Sequence, residues 1–480
     1  MTVYALPPAE LYIDGVWAVG TSGRIHDVVN PADDSLLGRL PLASADDLDR
    51  AIRAANKAFR GWRNEAPAAR TAILLRAAGL IRRDAARLAR LTTCELGMHI
   101  RDALALVTRA AEVLEWDANE GRRLYGRIVP SASGMHQSVV REPFGPVAAF
   151  APWNGSVFTP CRKIGSALAA GCTIVLKPAE ETPFSAIALV RLFEEAGVPA
   201  GVINLVYGDP AEISAQLIRS PLIRLVTFTG SVPVGKHLAQ LAAAEMKPAI
   251  MELGGHAPVI ICADADVEAA AARLVEAKYF NAGQVCVAPS RVLVEEAMYD
   301  ALVEVVVEKV SRIRVGHGLD PDVEMGPLAN HRRLDAVEAL VQDATGRGAT
   351  LRAGGQRIGN TGCFYPATVL TNVPEDARIL REEPFGPVLT INRVSGIDAA
   401  LEIANALPFG LAAYAFTRSS ATADRIARGV ESGLVGINHF GVSTHGLPFG
   451  GVKDSGHGRE GGAEGILGYT YAKTISHRLD

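Results

Sequence analysis

No window of 18 apolar residues occurs in the sequence, so no segment is suited to cross a membrane as a helix. The opening residues MTVYALPPAELYIDG lack a basic region followed by an apolar run, the pattern of a secretory leader. Clustered cysteines are missing too. Cys94, Cys161, Cys172, Cys262, Cys286 and Cys363 form neither CxxC nor CxC, which removes the spacing of a disulfide framework or a zinc site. A reducing, cytoplasmic setting is the expectation. Charge of either sign is not in excess: the formal net charge is −4 and no block of like charge occurs, so there is no electrostatic basis for binding nucleic acid or an anionic membrane. Small-molecule chemistry is what these absences leave.

What is present points to strand-helix alternation. The 480 residues are enough for two or three domains, and 47 glycines with 27 prolines suit many tight turns. Short apolar runs from Leu11 to Leu42, broken by Asp14-Gly15 and Asn30-Pro31, read as strands and turns. Ser44 followed by Asp47 reads as a helix start, and two longer helical stretches follow, near Pro67 to Leu96 and Arg101 to Arg122. Arg127 to Phe144 reads as a hairpin, suited either to subunit contact or to an ordinary surface.

Between Gly145 and Leu253 apolar strands alternate regularly with amphipathic helices, which predicts a parallel sheet covered on both faces. Such sheets bind ligands at the carboxyl ends of their strands. Three loops fall there: Pro152-Trp153-Asn154, Lys177-Pro178-Ala179-Glu180, and Thr229-Gly230-Ser231 with Gly235 in the helix that follows. The last could cradle a phosphate at a helix N-terminus, although it is neither GxGxxG nor GxxxxGK[ST]. Lys177 and Glu180 could bracket a ribose or could be solvated charges. Glu252, followed by Gly254-Gly255, is a candidate general base if desolvated and otherwise a structural carboxylate. A second α/β unit then runs to about Glu431. It contains Glu383-Pro384-Phe385-Gly386, which could hold a ribose and a flat heterocycle or be a turn with a core ring.

In that second unit lies Tyr279-Phe280-Asn281-Ala282-Gly283-Gln284-Val285-Cys286. A nucleophilic cysteine needs backbone room, a route to thiolate and donors for the charge on its target. Gly283 and Gln284 could supply the room and neighbouring N–H groups the donors. A buried cysteine acting as a small apolar filler is the other reading.

Taken jointly, PWN at 152–154, KPAE at 177–180, FTGSxxxG at 228–235, ELGG at 252–255, FNxGQxC at 280–286, EPFGPV at 383–388 and PFGGxKxSGxGRE at 448–460 resemble the NAD(P)-dependent aldehyde dehydrogenase superfamily, in order and over nearly the whole chain. The resemblance implies an α/β fold: a Rossmann-like parallel-sheet cofactor domain (1–126 and 145–253), an α/β catalytic domain (254–431), a small β oligomerisation arm (127–144 and 463–480) and a return segment (432–462). It implies Cys286 as nucleophile, Glu252 as base and Asn154 as oxyanion donor with the Cys286 N–H. For the cofactor it implies Lys177 and Glu180 at the adenosine ribose, Gly230, Ser231 and Gly235 at the pyrophosphate, and Trp153, Glu383 and Phe385 toward the nicotinamide. A carboxylate at Glu180 favours NAD, with NADP possible. The partner is a small aldehyde, and the protein is expected to be a homodimer or homotetramer.

Arg162-Lys163, ALAAGC at 167–172, GLAAY at 410–414 and VGIN at 435–438 resemble the succinate-semialdehyde dehydrogenase branch, in which Arg162 and Ser443 would meet a distal carboxylate. Two departures stand out. An arginine of that branch is Phe280 here, and PWN is followed by Gly155-Ser156. Phe158 and Phe280 could instead line an apolar tunnel for an aromatic or medium-chain aldehyde. Ala288 removes the redox CxC of some relatives.

Overall fold

The computed structural model describes residues 6–479. Two sheets dominate it. In the first, the spatial order is Val16–Ala18, Leu11–Ile13, Ile203–Leu205, Thr173–Lys177, Pro146–Phe150, Leu225–Gly230, Ala249–Leu253, Gly456–His457. The five central strands are parallel and the flanking pieces antiparallel. Pro146–Phe150 and Thr173–Lys177 are buried at every residue, which accounts for their unbroken apolar runs: helices cover both faces. From Pro146–Phe150 the chain moves outward through two strands, then returns to the other side at Leu225–Gly230. The carboxyl ends of these two neighbours bracket the reversal, where open α/β sheets leave a crevice.

The second sheet has the order Thr350–Ala353, Thr368–Thr371, Val388–Val394, Arg291–Glu295, Pro258–Ile261, Ala412–Phe416, Leu434–Ile437, parallel except at Thr350–Ala353. A boundary at Glu431 falls short of this sheet, because Leu434–Ile437 is its edge strand, paired with Ala412–Phe416. The tail departs in the other direction. Ile466 and Tyr469 are fully buried in the core of the first sheet, so helix Gly462–Leu467 is anchored there and the projecting arm begins only at Thr470–Arg478.

The predicted hairpin exists as Arg127–Val129 and Met135–Pro143, and Thr470–Arg478 pairs with it inside the same chain from Thr470↔Pro143 to Arg478↔Met135. The single long helix expected from Pro67 to Leu96 is two helices, Pro67–Arg83 and Ala85–Leu96, because Asp84 leaves helical geometry (φ −97, ψ 13). Helix Phe158–Ala170 has 12 of its 13 residues buried, and its alanines and Gly165 allow close approach to helix Ile100–Glu120. No described helix is long and apolar enough to cross a membrane.

Candidate active site

The nucleophile turn is held by backbone geometry that few residues adopt. Asn281, Ala282 and Gly283 all have left-handed φ (49, 52 and 71). Non-glycine residues held there store strain, which persists where surrounding contacts over-determine it. Gln284 supplies such contacts: fully buried, it donates from Nε2 to the Asn281 carbonyl at 3.1 Å and accepts at Oε1 from the Ala329 N–H at 2.9 Å. The room that Gly283 provides is not at the sulfur. A Cβ there would lie 2.2 Å from the Gly386 carbonyl, so this glycine lets the nucleophile loop seat against the Glu383–Gly386 loop.

Cys286 opens on a cavity of about 510 Å³ at the crevice of the first sheet. Trp153, Asn154, Gly230, Ser231, Glu252, Glu383 and Phe385 also line it, so eight of the predicted residues meet there. Asn154 Nδ2 donates to the Gln284 carbonyl at 3.0 Å, which fixes the amide beside the turn and leaves its second N–H free to turn toward the cavity. Trp153 and Phe385 meet edge to face, with centroids 5.5 Å apart. Glu383 Oε1 accepts from the Gly255 N–H at 3.2 Å, and a Cβ on Gly254 would sit 2.2 Å from its other oxygen. Burial pushes this carboxyl up to about 7, against the Gly255 N–H and the Arg333 charge.

Glu252 is 2% exposed and neither carboxyl oxygen has a hydrogen-bond partner among the described residues. Burial raises it well above the carboxylate range and Glu460 raises it further, while Arg162, Lys163 and Arg459 oppose. Glu460 is the member of this pair that stays ionised: Lys163 Nζ lies 2.7 Å from it and Arg162 Nε 3.7 Å. Desolvation pushes the Cys286 thiol up to about 12, with Glu383 and Glu252 adding to it. The resting pair is thus a neutral thiol and a carboxyl that holds its proton above the ordinary range, so Glu252 must ionise before it can accept a proton from sulfur or water.

The remaining residues fall elsewhere. Lys177 and Glu180 sit one strand further out, joined at 2.7 Å, with Glu180 Oε1 also accepting from the Gly208 N–H at 3.3 Å. Gly235 does not face the cavity, contrary to its expected place at a pyrophosphate. It is buried, and a Cβ there would meet Leu253 at 2.2 Å, so it brings helix Val232–Ala244 onto strand Ala249–Leu253. Ser231 is the N-cap of that helix and makes no side-chain cap, leaving the first N–H groups open to an anion. With the edge-to-face rings, carboxylates able to accept from ribose hydroxyls and this uncapped terminus, the residues fit an extended dinucleotide.

On the other side of Cys286, Val285 and Val287 line a cavity of about 360 Å³ with Phe280 and Ser443. Ser443 also lines a cavity of about 330 Å³ with Phe158 and Arg162. Arg162 is not a surface ion pair: it is 4% exposed, stacked on Phe449 at 4.7 Å and Phe158 at 5.6 Å. Arg109, which no motif marks, lines both cavities.

Other contributors escaped the sequence. Lys163 and Glu460 stand side by side in their motifs with Arg162 and Arg459, but their pairing spans 297 residues. Arg333, at the start of helix His331–Gly346, donates to the Pro384 carbonyl and lies 6.0 Å over Phe385, with only a run of charge to mark it. His256 bridges Ser290 at 2.7 Å and the Ile379 carbonyl at 2.8 Å; since a carbonyl only accepts, Nε2 carries the proton. Burial holds its pKa well below the usual value, so it is a neutral structural pin. Gly155 and Ser156 are both buried, Ser156 meeting the Thr92 hydroxyl at 3.3 Å. All six cysteines are unpaired.

The sequence matches the aldehyde dehydrogenase family over residues 17–475. A 4-(hydroxymethyl)benzenesulfonate dehydrogenase of Comamonas testosteroni is 43% identical over 98% of both chains. The NADP(+) succinate-semialdehyde dehydrogenase of Escherichia coli is 40% identical over 97% of this chain and 96% of its own. A solved succinate-semialdehyde dehydrogenase from Burkholderia pseudomallei superposes with a TM-score of 0.97 at 40% identity, covering 99% of this chain and 98% of that one. The chain therefore belongs to the aldehyde dehydrogenase family, NAD(P)-dependent oxidoreductases acting on aldehydes.

Proposed function

We propose that the protein oxidises an aldehyde carrying a remote anionic group to the corresponding acid, with Cys286 as nucleophile, Glu252 as base and Asn154 as oxyanion donor. The observation that carries the chemistry is the meeting of Cys286, Asn154 and an unpartnered, buried Glu252 on one cavity. Glu252 accepts the Cys286 proton as sulfur adds to the carbonyl carbon. The oxyanion formed is held by the Asn154 amide and the Cys286 N–H; one such donor is worth about 3 kcal/mol to the transition state. The nicotinamide, when bound, supplies the hydride acceptor. Collapse of the tetrahedral adduct leaves a thioester on Cys286. Glu252 releases to solvent the proton it took from Cys286, then takes one from water as the water oxygen attacks the acyl carbon; the C–S bond breaks, the acid departs, and the Cys286 thiolate regains a proton from Glu252. A hydrolytic base in this position favours release of a free acid over transfer to another thiol.

Residues 1–126 and 145–253 form the cofactor unit in this reading, with Trp153, Lys177, Glu180, Gly230, Ser231, Glu383 and Phe385 holding the dinucleotide. The Glu180 carboxylate, already held by Lys177, would accept from a ribose 2′-hydroxyl and repel a 2′-phosphate, so NAD is preferred over NADP.

For the substrate, Arg162, Ser443, Phe158 and Phe280 provide a cationic, half-aromatic wall. The relatives named for succinate semialdehyde and for an aromatic sulfonate share an anion remote from the oxidised carbon. A semialdehyde such as succinate semialdehyde is the first candidate; Phe158 and Phe280 favour an aromatic aldehyde as the second. The test is NADH formation over a panel containing succinate semialdehyde, 4-formylbenzenesulfonate, benzaldehyde and hexanal, run with NAD and NADP. Anionic aldehydes should lead with NAD. Cys286→Ala should form no NADH, and Glu252→Gln should turn over slowly with a thioester seen by intact mass. NADH formation by Cys286→Ala, or an unchanged rate in Glu252→Gln, would overturn the catalytic assignment.

A further inference from the structure

In the semialdehyde branch that the chain resembles, an arginine stands where this protein has Phe280, and the wall that carries Phe280 does not replace its charge near the nucleophile. Arg273, which lines the cavity beside Phe280, is exposed and donates to the Asn438 carbonyl. The opposite wall does replace it. Helix Ile100–Glu120 carries Arg109 into the space shared by the two cavities behind Cys286, one lined by Phe280 and the other by Phe158 and Arg162.

Arg109 has the features of a group waiting for an anion. Its one hydrogen bond among the described residues runs from Nη2 to the Ser443 carbonyl. Among the described residues no carboxylate lies within 4.0 Å of it, whereas Arg162 has Glu460 at 3.7 Å. A guanidinium has five N–H donors, so most of its capacity is unused. The ring of Phe158 lies 5.5 Å from the Arg109 guanidinium carbon and 5.6 Å from that of Arg162, so two cations bracket one aromatic surface. Glu112, one turn along the same helix, lines the cavity that holds Arg162 and makes no ion pair with Arg109. Burial and the Arg162 charge draw the Arg109 guanidinium below its ordinary range, with Glu112 opposing, so an anion bound there would relieve the repulsion. A flat substrate lying on Phe158 would bring a terminal carboxylate or sulfonate between the two guanidinium groups, where the fork geometry suits either oxyanion.

We propose that Arg109 is the residue that selects anionic aldehydes, holding the remote carboxylate or sulfonate from the wall opposite Phe280. The proposal rests on the reading of the substrate as an anionic aldehyde. It implies that Arg109 acts on binding, since the anion it holds is the same in ground and transition states.

The test compares kcat and KM for 4-formylbenzoate, 4-formylbenzenesulfonate and benzaldehyde in the wild type, Arg109→Leu, Arg109→Gln and Arg109→Lys, with melting temperatures recorded for each. The expected result is a ratio of kcat/KM, anionic to neutral, that falls about 10- to 100-fold in Arg109→Leu and Arg109→Gln, almost wholly through KM, and recovers partly in Arg109→Lys. The carboxylate and sulfonate arms identify which anion the site prefers. A wild type with no preference for anionic aldehydes overturns the substrate reading and this assignment with it. A wild type that prefers them while Arg109→Leu and Arg109→Gln keep the preference overturns Arg109 alone, as does an equal fall for charged and neutral substrates. Arg273→Leu is the control, and a larger loss of the ratio there would move the assignment to Arg273.

Discussion

At the scale of single residues the site is built on burying charge without pairing it. Glu252 is surrounded by groups that satisfy Glu460 instead, so its proton is held above the ordinary carboxylate range. Two consequences follow for pH. The rate should rise with pH along a limb displaced upward from the usual value of about 4.3, and Glu252→Gln should flatten that limb; a limb at the ordinary position in the wild type would count against Glu252 as the base. Stability moves the opposite way. An unfolded chain ionises this glutamate first as pH climbs past about 4.3, so the folded protein loses stability above that pH until its own group ionises. Glu252→Gln removes the loss, and its melting temperature should therefore gain on the wild type between pH 4 and pH 7. His256 contributes in the opposite range: held neutral when folded, it costs stability as pH falls below about 6.5, where the unfolded chain takes up the proton.

At the scale of elements, the nucleophile turn and the Glu383–Gly386 loop form one joint. Three successive left-handed residues point Cys286 into the cavity, and the contact at Gly283 admits no side chain. Gly283→Ala should lower the melting temperature by several degrees, from left-handed strain of about 1–2 kcal/mol plus the contact with Gly386, and should reduce kcat by at least about 10-fold because the sulfur shifts. The rate of thiol alkylation at Cys286 reports the shift independently. An alanine variant with wild-type kcat would show that the joint does not position the sulfur. Helix Pro183–Glu195 shows the same economy of contact: buried Glu95 accepts from the Ser185 N–H at 2.9 Å and from Phe184, capping it from a helix that ends nearly 90 residues earlier.

At the scale of the whole molecule, the three-stranded sheet is the part the chain leaves uncovered. Thr470–Arg478 is exposed at every residue after Thr470 and pairs along one edge only. Ile128 is exposed, as are Tyr471, Ile475 and Leu479. Thr470–Arg478 pairs with Met135–Pro143 inside one chain, which leaves the free edge of the sheet and its apolar face for a second copy. We expect a homodimer or homotetramer by light scattering, and Ile475→Asp should shift it toward the monomer. A wild-type monomer at micromolar concentration would refute this.

The order of strands and helices was legible because strands buried on both faces must be apolar throughout, and that pattern survives in the linear chain. The catalytic candidates were legible for a related reason: Asn154 and Cys286 follow a strand or helix end, Glu252 sits near the carboxyl end of its strand, and each falls inside a recognisable motif. Some roles attached to those motifs were not. Gly235 lies in the motif yet serves packing against Leu253, and Gly283 makes room for Gly386, not for the sulfur. Arg109 lies in a helix that reads as packing, and only the approach of that helix to Ser443 and Phe158 makes it line the two cavities beside the nucleophile turn. The sequence by itself determined the elements, their sheets and the reaction, since these depend on burial and on residue chemistry at strand ends. Tertiary structure decided which of two buried glutamates keeps its proton and that Arg109 and Arg162 meet at Phe158 and Ser443, because both depend on neighbours far away in the chain.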